Sequence, residues 1–400
     1  MDATRRSLWM LFAILVGCLV PATAFAGALH AELITVGPGS DDLSLYGHSA
    51  LCVTAEGAPD GRCYDFGVPG GDMDPDRLVW DTVRGTPRFV PVAVERSVLV
   101  ATFEDMERSL WVQELPLDDR QVADLQASLE AAVASHEPYA YHPYYDNCTT
   151  RLRDALDKVT SGKLHDGADA PASGPRFRAL SEQGFSGHMF ELAGLALFLG
   201  TRADRQPTTW ERMFLPVDLR DAVTARFGAQ PKQLHERREA VIPTSTQAGR
   251  VLLVLLGALL AGAIAYGARK SPRAQRLTMG FAGMLLGLLG LTVDAVSLAT
   301  RIPEFAGNWV TLVLLPTDAL LAFAPRRIVS PYLAVRLGML ALLAALSAAG
   351  IVAQPLVAVC AFAALPLGAS YFFVRKPRGP AATPIARGTT GSSPSPGDAR

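Results

Sequence analysis

The stretch Tyr144-Tyr145-Asp146-Asn147-Cys148-Thr149-Thr150-Arg151-Leu152 passes from an aromatic, polar loop into a helix. Leu152, Ala155, Leu156 and Val159 follow at helical spacing, Pro143 keeps the helix from extending far upstream, and Asn147 is a favoured N-cap. Cys148 is therefore expected at the first helical position. There the exposed N–H groups and the helix dipole favour a thiolate, and a nearby imidazole would favour it further. That is the setting of a nucleophile. The plainer alternative is a small buried cysteine packed under a loop.

Upstream, the strand-like runs Ser49 to Thr54 and Cys63 to Gly67 flank the turn-rich stretch Glu56-Gly57-Ala58-Pro59-Asp60-Gly61. Cys52 and Cys63 can pair across that hairpin, or stand as two unpaired core cysteines. If they face each other, period-2 alternation puts Ala50 and His48 on the face of Cys52, and Asp65 on the face of Cys63. Asp65 would then lie diagonally near His48, placed to orient its ring. Of the five cysteines in the chain, Cys18 lies in an N-terminal apolar run and Cys360 in the last apolar segment. Cys52, Cys63 and Cys148 remain, an odd number for an oxidising compartment.

The base for Cys148 is expected among His30, His48, His136, His142, His165, His188 and His235. His48 follows Gly47 at the start of a short strand, where the ring can emerge at a sheet edge toward a helix terminus. His142 is the alternative because it is local to Cys148, but among Tyr139, Tyr141, Tyr144 and Tyr145 it also fits a loop that merely covers the site. The others sit in charged or Gly-rich stretches and read as solvated.

The two ends of the chain set its compartment. Arg5 and Arg6, the apolar run Leu8 to Val20 and then Ala24-Phe25-Ala26 read as a signal peptide over residues 1–26, cleaved after Ala26. A lipobox at Leu15-Val16-Gly17-Cys18 and an uncleaved anchor are the alternatives, and all three export residues 27–248. From Arg250 onward, apolar segments at roughly 251–267, 277–299, 309–324, 332–349 and 351–374 read as five spans. Most are near the minimum of about 17 residues, and 309–324 is the weakest. Arg269, Lys270, Arg273 and Arg276 follow the first span, Arg326 and Arg327 the third, and Arg375, Lys376 and Arg378 the fifth. Those three ends belong on the cytoplasmic side. Asp294 and Asp318 lie within spans, where a charge is costly; they either line a polar cavity or, for Asp318 beside Pro316, face water at a helix break. The expected order is thus an extracytoplasmic domain over 27–248, a membrane domain over 249–375 and a disordered cytoplasmic tail over 376–400, rich in Pro, Gly, Ser and Thr.

Half of the residues are hydrophobic and the formal net charge is −1, averages that mix a polar first part with an apolar last third. No internal repeat, Gly-rich phosphate loop or basic stripe points to nucleotide or nucleic-acid partners. Without a Cys-x-x-Cys pair or a His-Glu-x-x-His helix, no metal or other cofactor is expected.

Several stretches resemble the Lnb N-terminal periplasmic domain family: Tyr46-Gly47-His48-Ser49-Ala50-Leu51, Cys63-Tyr64-Asp65-Phe66-Gly67, and Asp146-Asn147-Cys148-Thr149-Thr150-Arg151-Leu152-Arg153-Asp154. Trp210-Glu211-Arg212-Met213-Phe214-Leu215-Pro216 and the run from Asn308-Trp309 to Pro316 resemble it too. The family is similar to papain-like NlpC hydrolases in circularly permuted order, with His early on a strand and Cys late at a helix start. A similar order, with an Asn-Cys pair, occurs in relatives of lecithin:retinol acyltransferase. The resemblance implies an α+β, permuted papain-like (NlpC-type) domain followed by an all-α bundle of about five transmembrane helices. It also implies His48 and Cys148 as the catalytic pair; the role of Asp65 comes from the hairpin geometry. Tyr46, Asn147 and Thr149, beside those residues, are the expected substrate-binding positions. The best-understood family members move an acyl chain from the diacylglyceryl group of a lipoprotein to the α-amine of its lipidated cysteine. The expected partner is therefore a membrane lipid or a lipidated protein. A cell-wall amidase and a non-enzymatic membrane assembly protein are the competing expectations.

Overall fold

The computed structural model describes residues 28–40, 44–58, 60–70, 80–81, 84–238 and 245–375. The signal peptide, the lipobox and the cytoplasmic tail lie outside these residues. Within them, seven strands form one sheet: β1 (Leu29–Val36), β2 (His48–Ala55), β3 (Arg62–Pro69), β4 (Arg88–Glu95), β5 (Leu110–Leu115), β6 (Tyr139–Ala140) and β7 (Lys232–His235). The spatial order is β6-β4-β3-β2-β1-β5-β7, and every neighbouring pair is antiparallel.

Alternation along the strands sorts the core into two layers. Leu33, Leu51, Val53, Tyr64 and Phe66 face α2 (Asp119–Ser135), α3 (Cys148–Val159) and α7 (Pro216–Phe227), which supply Leu125, Leu129, Leu152, Leu156, Leu219 and Val223. Ile34, Val36, Ala50, Cys52, Cys63 and Val112 face the other way, onto Leu99 of α1 (Arg96–Asp105). Cys52 is the register partner of Cys63 and the two are disulfide-bonded, so the hairpin is closed covalently inside the α1-side layer.

The rest of the sheet domain is helical: α4 (Phe177–Gly184), α5 (Met189–Phe198) and the short α6 (Thr209–Arg212). α5 is an exception to the polar character of this part. Its Ala193, Ala196 and Leu197 are buried in the core of the membrane segments rather than under the sheet. Gly249, at the start of the first membrane helix, makes this possible: a Cβ there would meet the backbone N of Ala193 at 2.2 Å.

Among the described residues, five segments are long and apolar enough to cross a membrane. Four are helices: α8 (Ala248–Lys270), α9 (Pro272–Ala299), α11 (Arg326–Ala348) and α12 (Val357–Arg375). The remaining one, expected as a helix over 309–324, spans 303–322 and is broken into 3-10 turns at Pro303–Phe305 and Pro316–Ala322 around the four-residue α10 (Val310–Val313). Pro303 and Pro316 interrupt the hydrogen-bond ladder, and irregular backbone at membrane depth must be covered by protein. α9 provides the cover with glycines at 280, 283, 287 and 290. Cβ atoms there would come within 2.2–3.1 Å of the backbone at Leu314, Pro316, Asp318 and Ala322.

The acid in this broken segment is neutralised internally. Arg336 of α11 donates to both Asp318 oxygens at 2.9 and 2.7 Å and to the Val313 carbonyl at 2.8 Å, while the Tyr332 hydroxyl donates to Asp318 at 2.6 Å. Asp318 is fully buried. It therefore faces neither water nor an open polar path, in contrast to both expectations for it. Asp294 lies half-buried in α9.

Candidate active site

Cys148 is the first residue of α3, as its sequence context predicts, and Asn147 is the N-cap. Asn147 Oδ1 accepts the Thr150 N–H at 2.9 Å and Thr150 Oγ1 accepts the Asn147 N–H at 2.8 Å, a reciprocal capping box. Asn147 Nδ2 donates to the carbonyls of Pro143 and Phe214 at 2.9 and 3.0 Å. These hydrogen bonds of Asn147 are all made within the domain and fix the start of α3. The amides of Cys148 and Thr149 occupy the first two helical positions, where no intrahelical acceptor exists.

His48 is the first residue of β2. Two glycines let it reach Cys148. Gly47 has φ of +86°, and a Cβ there would lie 2.6 Å from the Val36 carbonyl, so the chain can enter β2 this closely only without a side chain. A Cβ at Gly67 would lie 2.6 Å from His48 Cε1, so Gly67 leaves the space that the ring fills. A β-bulge in β3 falls between Asp65 and Val68. It lets the Gly67 N–H bond to Asp65 Oδ1 at 2.6 Å, and the same oxygen sits 3.0 Å from His48 Nε2. That contact is close but not aligned as a hydrogen bond. With Nε2 turned to Asp65, Nδ1 is the ring nitrogen left for the thiol.

The electrostatics follow from this order of contacts. Burial alone would push the His48 pKa down; the Asp65 carboxylate, and then Cys148, outweigh it and raise it from 6.5 to about 10. Burial likewise acts to raise the pKa of Cys148, but the His48 imidazolium holds it below the ordinary thiol value. Asp65 is also held below the ordinary carboxylate value, its burial outweighed by His48. The three groups thus favour thiolate, imidazolium and carboxylate together.

Cys148 and His48 line a cavity of about 320 Å³. Tyr46, Asn147 and Thr149 all line it. Tyr46 donates to the Ser181 carbonyl at 2.7 Å and packs edge-on against Phe185, and Thr149 Oγ1 is 3.3 Å from Ser49 Oγ. His142 does not line it. Its backbone pairs with Asp146, its Nδ1 accepts the Tyr144 N–H at 3.2 Å, and its Nε2 lies 3.7 Å from Glu304 Oε2. Burial lowers its pKa, against the opposing pull of Glu304 and Asp146. His30 and His136 are exposed, as expected of solvated histidines, whereas His165, His188 and His235 are partly buried, His165 stacking on Trp210.

The far wall was not anticipated. Leu195 and Leu199 come from α5 and its end, Ile302 from the short connection after α9, and Phe305 from the first turn of the broken segment. Glu304 in that first turn is buried; it accepts the Tyr145 hydroxyl at 2.5 Å, and its own carbonyl accepts the Gly200 N–H at 2.7 Å. The signal available in the sequence was the apolar run Leu192 to Leu199 inside an otherwise polar domain, and an acid beside Pro303 in a short outer loop.

Residues 23–182 match the family model of the Lnb N-terminal periplasmic domain. Over this range the chain is similar to that domain. The match includes His48, Asp65 and Cys148 and stops within α4, before α5 and the membrane segments. No curated protein and no solved structure matches the chain. The match and the five apolar segments support a membrane protein with an Lnb-type periplasmic domain.

Proposed function

We propose that the protein is a thiol-dependent acyltransferase that moves an acyl chain from a lipid or lipoprotein ester to an amine through a thioester on Cys148. The observation that carries this is the Cys148–His48–Asp65 cluster beside a cavity whose far wall comes from the membrane half, at Ile302 and Phe305. A wall peptide is polar and needs no such wall, whereas an acyl ester is presented at a bilayer surface. The order of His on a strand and Cys on a later helix supports a permuted papain-like arrangement of the domain.

In the first half-reaction the Cys148 thiolate attacks the ester carbonyl carbon, and the amides of Cys148 and Thr149 take the developing oxyanion. The C–O bond breaks and the leaving alkoxide takes the proton from the His48 imidazolium. In the second, an amine attacks the thioester, neutral His48 accepts its proton, and the C–S bond breaks to restore the thiolate. Asp65 holds the ring in the orientation both steps need. Tyr46 and Thr149 border the position of the acyl carbonyl. In this reading the first domain faces the periplasm and the C-terminus the cytoplasm of a bacterial inner membrane.

The test is the full chain in phospholipid vesicles with a synthetic diacylglyceryl-cysteine peptide. Mass spectrometry should find an acyl group on Cys148 when the amine is blocked, and an N-acylated peptide when it is free. Absence of the thioester together with release of peptides from cell-wall fragments would replace this assignment with an amidase.

A further inference from the structure

A second cavity, of about 260 Å³, lies at the opposite end of the membrane bundle from the candidate active site. α9 fixes the distance: its C-terminus leads into the loop that touches the sheet domain, where the Arg301 N–H bonds to the Arg84 carbonyl, and its N-terminus borders this cavity. Its 28 residues separate the two ends by about 40 Å.

The cavity forms where the N-terminus of α9, the N-terminus of α11 and the end of the broken segment meet, beside Val374 of α12. Neither helix has an acidic residue in its first turn; α9 is capped by Ser271, whose Oγ accepts the Ala274 N–H at 3.0 Å, whereas α11 starts after Pro325 with no side-chain cap. Arg276 and Arg326 stand at its rim. Among the described residues each makes only a contact at the outer limit of hydrogen bonding: Arg276 with the Phe323 carbonyl and Arg326 with Gln275 Oε1, both at 3.5 Å. Gln275 is 6% exposed and lines the cavity, and its Nε2 has only a 3.8 Å contact with Met279 Sδ. Its amide capacity is therefore mostly unspent. Met279, Leu321 and Val329 complete an apolar wall.

We propose that this cavity binds the phosphate headgroup of an anionic membrane lipid. Arg276 and Arg326 hold the phosphate, Gln275 bonds to it from the wall, and the apolar side takes the glycerol and the first acyl carbons. General retention of positive charge on one side of a membrane explains why arginines cluster at this end, but it treats all of them alike. A site singles out Arg276 and Arg326 over Arg269 and Arg273, which do not line the cavity.

The experiment places the full chain in phosphatidylcholine nanodiscs, adds phosphatidylglycerol, and counts bound lipid by native mass spectrometry. Arg276→Gln with Arg326→Gln should weaken phosphatidylglycerol binding roughly tenfold or more. Arg269→Gln with Arg273→Gln should change it by less than about twofold. Arg276→Lys with Arg326→Lys keeps both charges and should recover most of the binding, which separates a lost site from a misfolded variant. Equal loss in both glutamine pairs, or no loss in either, would overturn the proposal. So would inorganic phosphate binding with the same arginine dependence and displacing the lipid, which would make this a free-anion site.

Discussion

Two buried acid–base pairs, one in each half of the molecule, are built for different ends. In the membrane half, Asp318 and Arg336 are 0% and 2% exposed and are saturated: two bonds between them, one from Tyr332, one to the Val313 carbonyl. In the exported half, Asp65 and His48 are 16% and 12% exposed, and His48 Nε2 lacks an aligned hydrogen bond at 3.0 Å. The first pair spends its charge on fixing a broken backbone. The second keeps its charge available to a thiol at the edge of a cavity. The saturated pair fixes backbone, while the pair beside the cavity leaves one ring nitrogen without an aligned partner, which suits the proposed chemistry.

The comparison breaks most visibly at Cys148. Cys148→Ser should keep the fold, because the swap is nearly isosteric, yet lower acyl transfer on the order of 10⁴-fold, since a hydroxyl is far harder to ionise than a thiol. His48→Ala should be nearly as inactive, and the double variant no worse than the poorer single, because the two act as a unit. Product formation by mass spectrometry checks this, and a folded serine variant with normal turnover would remove Cys148 from the chemistry.

In the membrane half the expected loss is of stability rather than activity. Arg336→Met leaves the Asp318 carboxylate buried and unpaired, a cost of about 3–5 kcal/mol. Adding Asp318→Asn removes the stranded charge and should recover much of the loss. Thermal unfolding of the full chain in detergent reads both; an Arg336→Met protein as stable as the parent would mean the pair is not what holds the broken segment.

Cys63→Ser removes the hairpin disulfide, which closes a sequence separation of 11 residues. A loop of this size is worth about 2–3 kcal/mol. Reductant should lower the parent's unfolding temperature to that of the variant and leave the variant unmoved. Free thiols at both Cys52 and Cys63 in protein purified without reductant would contradict the bond.

Asp65→Asn sharpens the contrast between a poised and a saturated pair. The carboxylate is the largest influence raising the His48 pKa to about 10, so a neutral amide should let it fall toward 6.5. The ring then loses its proton nearer neutrality and stops stabilising the thiolate, so the Cys148 pKa rises. Alkylation of Cys148 at neutral pH should slow by roughly tenfold, and its pH profile should move upward. An unchanged profile would show that Asp65 does not hold the imidazolium.

What was legible in the sequence was local. Asn147, Cys148 and the spacing of Leu152, Leu156 and Val159 announce a capped helix within a dozen residues, and Cys52 and Cys63 flank a turn short enough to pair across. His48 and Asp65 required only period-2 alternation on that hairpin. What escaped depends on distant partners. The glycines at 280, 283, 287 and 290 make sense only beside a segment about thirty residues later that is too broken to be a helix. Arg336 was hidden in an apolar run because its counter-charge lies 18 residues away on another element. Glu304 looked like one more loop charge, because its contacts to Tyr145 and Gly200 cross from the membrane half to the exported half.

That crossing point gives the smallest expected effect. His142 is the histidine nearest in sequence to Cys148, and proximity alone would make it a rival base. Its surroundings argue otherwise: Nδ1 is engaged with the Tyr144 N–H, Nε2 points to Glu304 at 3.7 Å, and burial keeps the ring neutral by lowering its pKa. A neutral ring turned away from the thiol can neither stabilise a thiolate nor hold a proton for the leaving group. Glu304 retains the Tyr145 hydroxyl at 2.5 Å without it, so the loop that carries Asn147 stays braced by the membrane half. His142→Ala should therefore keep acyl transfer within about threefold of the parent and leave the pH profile of Cys148 alkylation in place, whereas a true base would take both with it. A loss comparable to that of His48→Ala would reassign the base and place the working centre between Cys148 and the membrane loop.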